Sequence, residues 1–177
     1  VEQVKAGESR ESTLIADVAA VAPDAPVDPR KVQVMLADTR DESFSDPAWV
    51  YELKLDGYRL LAARHGGDAL LLTRNGNDYT RVFPEVARAI KALPFDNFII
   101  DGEVVVMDAN GLPSFSKLQK RGRLTNDLEV RRAAVELPAT YMAFDLLALG
   151  DSDVRAQPLV QRKTWLQRML PAIGPVR

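Results

Sequence analysis

Residues Glu52-Leu53-Lys54-Leu55-Asp56-Gly57-Tyr58-Arg59 place one amine between two carboxylates, ahead of a glycine turn and a guanidinium. Just upstream, Trp49, Tyr51, Leu53 and Leu55 alternate with Glu52 and Lys54. That period of two predicts a strand with one buried face, on which Glu52 and Lys54 point the same way. An ordinary lysine titrates near ~10.4, so attack on phosphorus requires that the proton leave first, and a cation such as Arg59 or a bound metal favours the neutral amine. A planar guanidinium also suits holding a phosphate. The same octamer fits equally the solvent side of an edge strand, with Lys54 paired to Glu52 or Asp56 at little energetic gain.

Working outward, Tyr58 to Ala63 and Ala69 to Thr73 are apolar runs separated by Gly66-Gly67, the pattern of a hairpin. Pro84 starts a helical spacing of Val86, Ala89, Ile90 and Leu93 that Pro94 stops. Phe98 to Met107 reads as a strand interrupted by Asp101-Gly102, and Asn110-Gly111 marks a turn after it. Ser114 is placed to cap a short helix through Lys120, Leu128 to Leu137 suits another, Tyr141 to Leu149 is strand-like, and Pro158 to Leu170 is an amphipathic helix. Strands and helices interleave with hairpins, so the expected class is α+β, with antiparallel sheets flanked by helices. Residues 1–30 lack clear periodicity, and Ala22-Pro23-Asp24-Ala25-Pro26-Val27-Asp28-Pro29 would break any helix or strand, so they are expected to be a linker.

With 177 residues and 46% hydrophobic content, one domain is the default. No cysteine is present, which excludes disulfides and thiolate metal sites. No apolar run approaches bilayer length, and the start at Val1 lacks a secretory pattern, so the chain is expected to be cytoplasmic, without a membrane partner, and part of something longer. The net charge of -2 argues against a nucleic-acid partner only on average: Val1 to Ala48 carries 5 Lys/Arg against 10 Asp/Glu, and the remainder 18 against 15.

The octamer matches the K-x-D-G-x-R signature of the covalent nucleotidyltransferases, the superfamily of DNA ligases, RNA ligases and mRNA capping enzymes. Thr73-Arg74-Asn75-Gly76, Asp101-Gly102-Glu103-Val104-Val105-Val106 and Phe144-Asp145-Leu146-Leu147 resemble its later elements, in order. Trp49-Val50-Tyr51-Glu52, Leu72 to Gly76 and Phe115-Ser116-Lys117-Leu118-Gln119 most resemble bacterial ATP-dependent DNA ligases of the end-joining type, over roughly Met35 to Leu170. The resemblance implies the nucleotidyltransferase fold, with residues 31–177 forming part of the adenylation domain, incomplete at its C-terminus.

It also implies roles. Lys54 attacks the α-phosphate of ATP to form a phosphoramidate with AMP, and Glu52 helps recognise adenine. Asp56 orients the lysine turn. Arg59 and Arg74 contact ribose and phosphates, Glu103 faces the sugar or a Mg²⁺ (or Mn²⁺) ion, and Phe144 stacks on adenine. Without the motifs, the arginines read as exposed surface, Phe144 as core, and Asp101 as a bulge residue. The expected partner is nicked or broken double-stranded DNA, in repair or recombination at the bacterial nucleoid. Lys117, Lys120, Arg121, Arg123, Arg131 and Arg132 concentrate charge that suits a DNA backbone, although a solvated helical face explains it almost as well. His65, the sole histidine, reads as an exposed turn residue.

The chain departs from the family in one respect. No E-G-x-x-x-K strand, paired-lysine strand or OB-fold domain follows Phe144. Two rival functions remain: an RNA-ligating or GTP-dependent capping enzyme, and a non-catalytic nucleic-acid-binding or scaffold module of the same fold.

Overall fold

A computed structural model describes residues 9–177. Five strands, β1 (Tyr58–His65), β2 (Asp68–Thr73), β3 (Phe98–Val106), β4 (Ala139–Leu149) and β5 (Ser152–Asp153), form one antiparallel sheet ordered β2-β1-β3-β4-β5. The helices are α1 (Arg10–Ala19), α2 (Pro84–Ala92), α3 (Phe115–Gly122), α4 (Asp127–Glu136) and α5 (Leu159–Met169). None among the described residues is long and apolar enough to cross a membrane. The hairpin at Gly66-Gly67, the helix begun by Pro84 and the strands on either side of Asp101-Gly102 lie where the sequence puts them, and the register shifts by β-bulges against β4 at Ile99/Ile100 and Asp101/Gly102.

Alternation along β1 and β3 divides the sheet into two faces. Leu60, Ala62, Ile100, Val104 and Val106 enter the main core, where Leu14 and Val18 of α1, Val86 and Ile90 of α2, Leu118 of α3 and Trp165 of α5 cover them. Leu61, Ala63, Leu72, Ile99, Leu147 and Ala148 face the other way, where the partly buried apolar side chains Val27, Val32, Val34 and Leu70 pack on them. The same second face carries Arg59, Asp101 and Glu103, which alternate with those core positions.

Three expectations need correction. The leader is not linker throughout, since residues 10–19 form α1, capped by the Ser9 hydroxyl and docked through Leu14 and Val18; its first eight residues lie outside the described ones. The alternation at 49–55 does not become a strand. Its backbone pairs with no strand among the described residues, and a lone extended segment leaves its N–H and C=O groups to water. Trp49 and Tyr51 pack locally on Phe44 instead, and Leu53 is 90% exposed. Ser114 stands at the N-cap of α3, but its side chain makes no capping bond.

Candidate active site

The turn after Lys54 is pinned to β3. Gly57 N–H donates to Glu103 Oε1 at 2.7 Å. A Cβ at Gly57 would lie 2.3 Å from the Val104 carbonyl oxygen and 2.7 Å from Glu103 Cγ, so only glycine lets the turn lie this close. Arg59 stands opposite Glu103 in the β1–β3 ladder, with Asp101 two residues along on the same face. Its guanidinium reaches Asp101 in fork geometry, Nε to Oδ1 at 3.1 Å and Nη2 to Oδ2 at 2.7 Å. Arg59 Cζ also lies 5.5 Å from the centre of the Phe144 ring. Behind this cluster, on the core side, the Tyr141 hydroxyl shares its proton between the carbonyls of Leu60 at 2.9 Å and Ile100 at 3.0 Å. Gly102 makes room for that ring, since a Cβ there would sit 2.6 Å from its Cζ.

Lys54 itself is exposed, and among the described residues it has no hydrogen bond or ion pair. Its ammonium is near enough to pull the Glu103 carboxyl downward. Glu52 Oε1 pairs with Lys163 Nζ of α5, and the same Nζ donates to the Phe144 carbonyl at 2.7 Å. Thus Arg59 meets Phe144 and stands opposite Glu103 across the ladder, while Glu52 is joined to the Phe144 strand through Lys163. Arg74 is exposed on the turn after β2, where it lines a hollow with Val32, Leu61 and Leu72 that contains none of the others. In the basic span, Arg121 is fully buried and bound to Glu85, so it is removed from any role on a DNA backbone. Asp101, read from sequence as a bulge residue, is also the clamp on Arg59. Lys163 carries no local signal, because its partner Glu52 is 111 residues away in the chain.

The electrostatics follow from hydrogen bonding at Arg59 and from burial at Glu103. The Asp101 bond raises Arg59 above its ordinary value, against the opposing cost of desolvation. Burial raises the Glu103 carboxyl, although the Gly57 bond and the Lys54 charge pull it back. A carboxyl whose folded value lies above its unfolded one favours folding in the neutral form. Its contribution is complete below the unfolded value and is lost as pH rises through the folded value. Glu103→Gln, which is nearly isosteric, should therefore become more stable relative to wild type as pH climbs from about 4 to about 7. Thermal melts across that range check it, and a difference constant with pH contradicts it.

Comparison with known proteins identifies the family. The family model described as the ATP dependent DNA ligase domain matches residues 34–176. A probable DNA ligase of Streptomyces coelicolor is 38% identical over 120 residues, covering 68% of this chain and 23% of that protein. The multifunctional non-homologous end joining protein LigD of Pseudomonas aeruginosa is 38% identical over 125 residues, 69% of this chain and 14% of that one. DNA ligase C of Mycobacterium tuberculosis is 40% identical over 116 residues, 66% of this chain and 32% of that one. The chain thus spans a third or less of these relatives. Among solved structures, the ligase domain of M. tuberculosis LigD superposes with a TM-score of 0.52 at 35% identity, over 66% of this chain and 35% of that one. A mycobacterial DNA ligase D complexed with ATP and MES superposes with the same TM-score, 0.52, at 31% identity. Its sequence signature, its sheet and these matches agree: the chain belongs to the ATP-dependent DNA ligase domain family.

Proposed function

We propose that residues 31–177 form the front of an adenylation domain in which Lys54 forms a covalent bond to AMP. The observation that carries this is the Gly57–Glu103 bond, which fastens the turn after Lys54 to the strand beside Arg59 and Phe144. The neutral Lys54 amine attacks the α-phosphorus of ATP, a P–N bond forms, the bond to the bridging oxygen breaks, and pyrophosphate leaves as the amine sheds its second proton to solvent. In the complete protein AMP then passes to a 5′-phosphate at a nick or break in DNA, and a 3′-hydroxyl displaces it.

Around that step, Glu52 accepts from the adenine amino group and Phe144 offers its ring to the adenine face. Arg59, held by Asp101, grips ribose and phosphate oxygens, as does Arg74 from its turn. No cluster of three metal-ligating side chains occurs among the described residues. A divalent ion of the Mg²⁺ or Mn²⁺ kind commonly keeps one or two carboxylates and takes its other ligands from phosphate and water, which Glu103 fits. When bound, such an ion neutralises charge on the phosphoryl oxygens. Lys117, Lys120, Arg123 and Arg131 supply a basic surface for the DNA backbone. We place the remaining pocket lysines and an OB-fold domain in further length of the parent protein, and its work in the bacterial cytoplasm at the nucleoid.

The test is incubation of the parent-length protein with α-labelled ATP and Mg²⁺, followed by denaturing electrophoresis. Label retained on the protein from ATP and not from GTP is the expected result. Transfer from GTP instead points to capping chemistry, and salt-sensitive DNA binding with no adduct points to a scaffold; either overturns the proposal.

A further inference from the structure

We infer that Lys163 is a positioning residue that fixes how adenine is read, by tying Glu52 to the Phe144 strand. The inference rests on Glu52 and Phe144 acting as just proposed, and its own ground is the geometry of one ammonium. Nζ of Lys163 donates to the Phe144 carbonyl at 2.7 Å and to the Glu52 carboxylate. A lysine ammonium offers three donors and no acceptor, so one group can bridge these two acceptors.

The two ends of the bridge differ in rigidity. On one side, α5 is locked in place. Arg162, the preceding residue, forks onto Asp145 at 2.8 and 2.9 Å and donates to the Gln157 carbonyl, while Trp165, Leu166 and Met169 are buried. On the other side, Glu52 belongs to the unpaired segment 49–56, and its side chain is 47% exposed. The bridge therefore brings a loose carboxylate to a fixed point. Because the ring of Phe144 and the carboxylate of Glu52 are then referred to one atom, the group that meets the adenine face and the group that meets its edge keep a constant separation. Among the described residues Glu52 makes its ion pair with Lys163 and none with Lys54.

An ion pair whose carboxylate is half exposed on an unpaired segment adds little to global stability. Its loss should consequently be visible in base selection and loop order and not in melting. In the parent-length protein, Lys163→Met is expected to raise KM for ATP about tenfold with kcat nearly unchanged, the equivalent of one charge-assisted hydrogen bond. It should also narrow the preference for ATP over GTP, and Lys163→Arg should restore both. A second readout needs no activity: trypsin cleavage after Lys54, followed by mass spectrometry, should quicken in Lys163→Met and in Glu52→Gln. Adding Lys163→Met to Glu52→Gln should quicken it no further. Wild-type KM, base preference and cleavage rate in Lys163→Met overturn the inference, and so does additive cleavage in the double variant. Absence of any adduct in the wild type strikes instead at the proposed function, and the cleavage rates still read the tether.

Discussion

Lys54→Ala is expected to abolish the proposed covalent AMP adduct and to leave the fold intact. The side chain is exposed and makes no hydrogen bond among the described residues, so its removal should change stability by no more than about 0.5 kcal/mol, as for other surface positions away from special features. The chemical effect is of another order. Lys163, the lysine tied to Glu52, is not free to substitute, because it is held by Glu52 and the Phe144 carbonyl. Loss of a nucleophile removes the reaction path and not merely part of its stabilisation, so labelling should fall by at least about a thousandfold. Lys54→Arg should fail as well, since a guanidinium stays protonated up to pH ~12 and offers no lone pair for attack. Denaturing electrophoresis with α-labelled ATP, with thermal melts alongside, checks both. Equal labelling of wild type and alanine variant removes Lys54 from the mechanism.

Glu85→Ala is expected to have the largest effect on stability among these variants. Arg121 is fully buried, and Nη2 lies 2.8 and 3.0 Å from the two Glu85 oxygens. Glu85 Oε1 also accepts the Ala139 N–H at 2.9 Å, which links α2 to the start of β4. The rest of the guanidinium has little else. Cζ is 5.3 Å from the Phe83 ring centre, and neither Nε nor Nη1 has a hydrogen-bond partner among the described residues. Truncating the acid strands a charge in the core, which costs about 3–5 kcal/mol against a typical total of about 5–15 kcal/mol. Changing Arg121 to Met in the same chain should recover much of that, because an apolar pair in the site leaves no buried charge behind. Urea denaturation measures both, and a loss below about 1 kcal/mol for Glu85→Ala shows that Arg121 finds water or another partner.

The particular residues explain what could be read in advance. β1 to β4 were legible because their hydrophobic pattern and turns are local properties, as at Gly66-Gly67. The segment 49–55 has the same alternation, yet alternation says which face a strand would show and not whether a neighbour exists to bond it. α1 was hidden by the proline run that follows it, although Leu14 and Val18 have helical spacing. Arg121 looks like its exposed basic neighbours in sequence, and only the packing of α2 against β4 distinguishes it. Within the site, Arg59 and Glu103 were marked by motif and meet because β1 and β3 are adjacent. The Lys163 bridge was illegible, since it depends on where a distant helix comes to rest.

The division of β1 and β3 into alternate positions has an evolutionary corollary. Leu60, Ala62, Ile100 and Val104 secure cohesion, while Arg59, Asp101 and Glu103 between them point to the opposite side. Substitution at one set need not disturb packing at the other. Lineages sharing this sheet can change their grip on ribose and phosphate at Arg59 or Glu103 without opening a cavity in the main core.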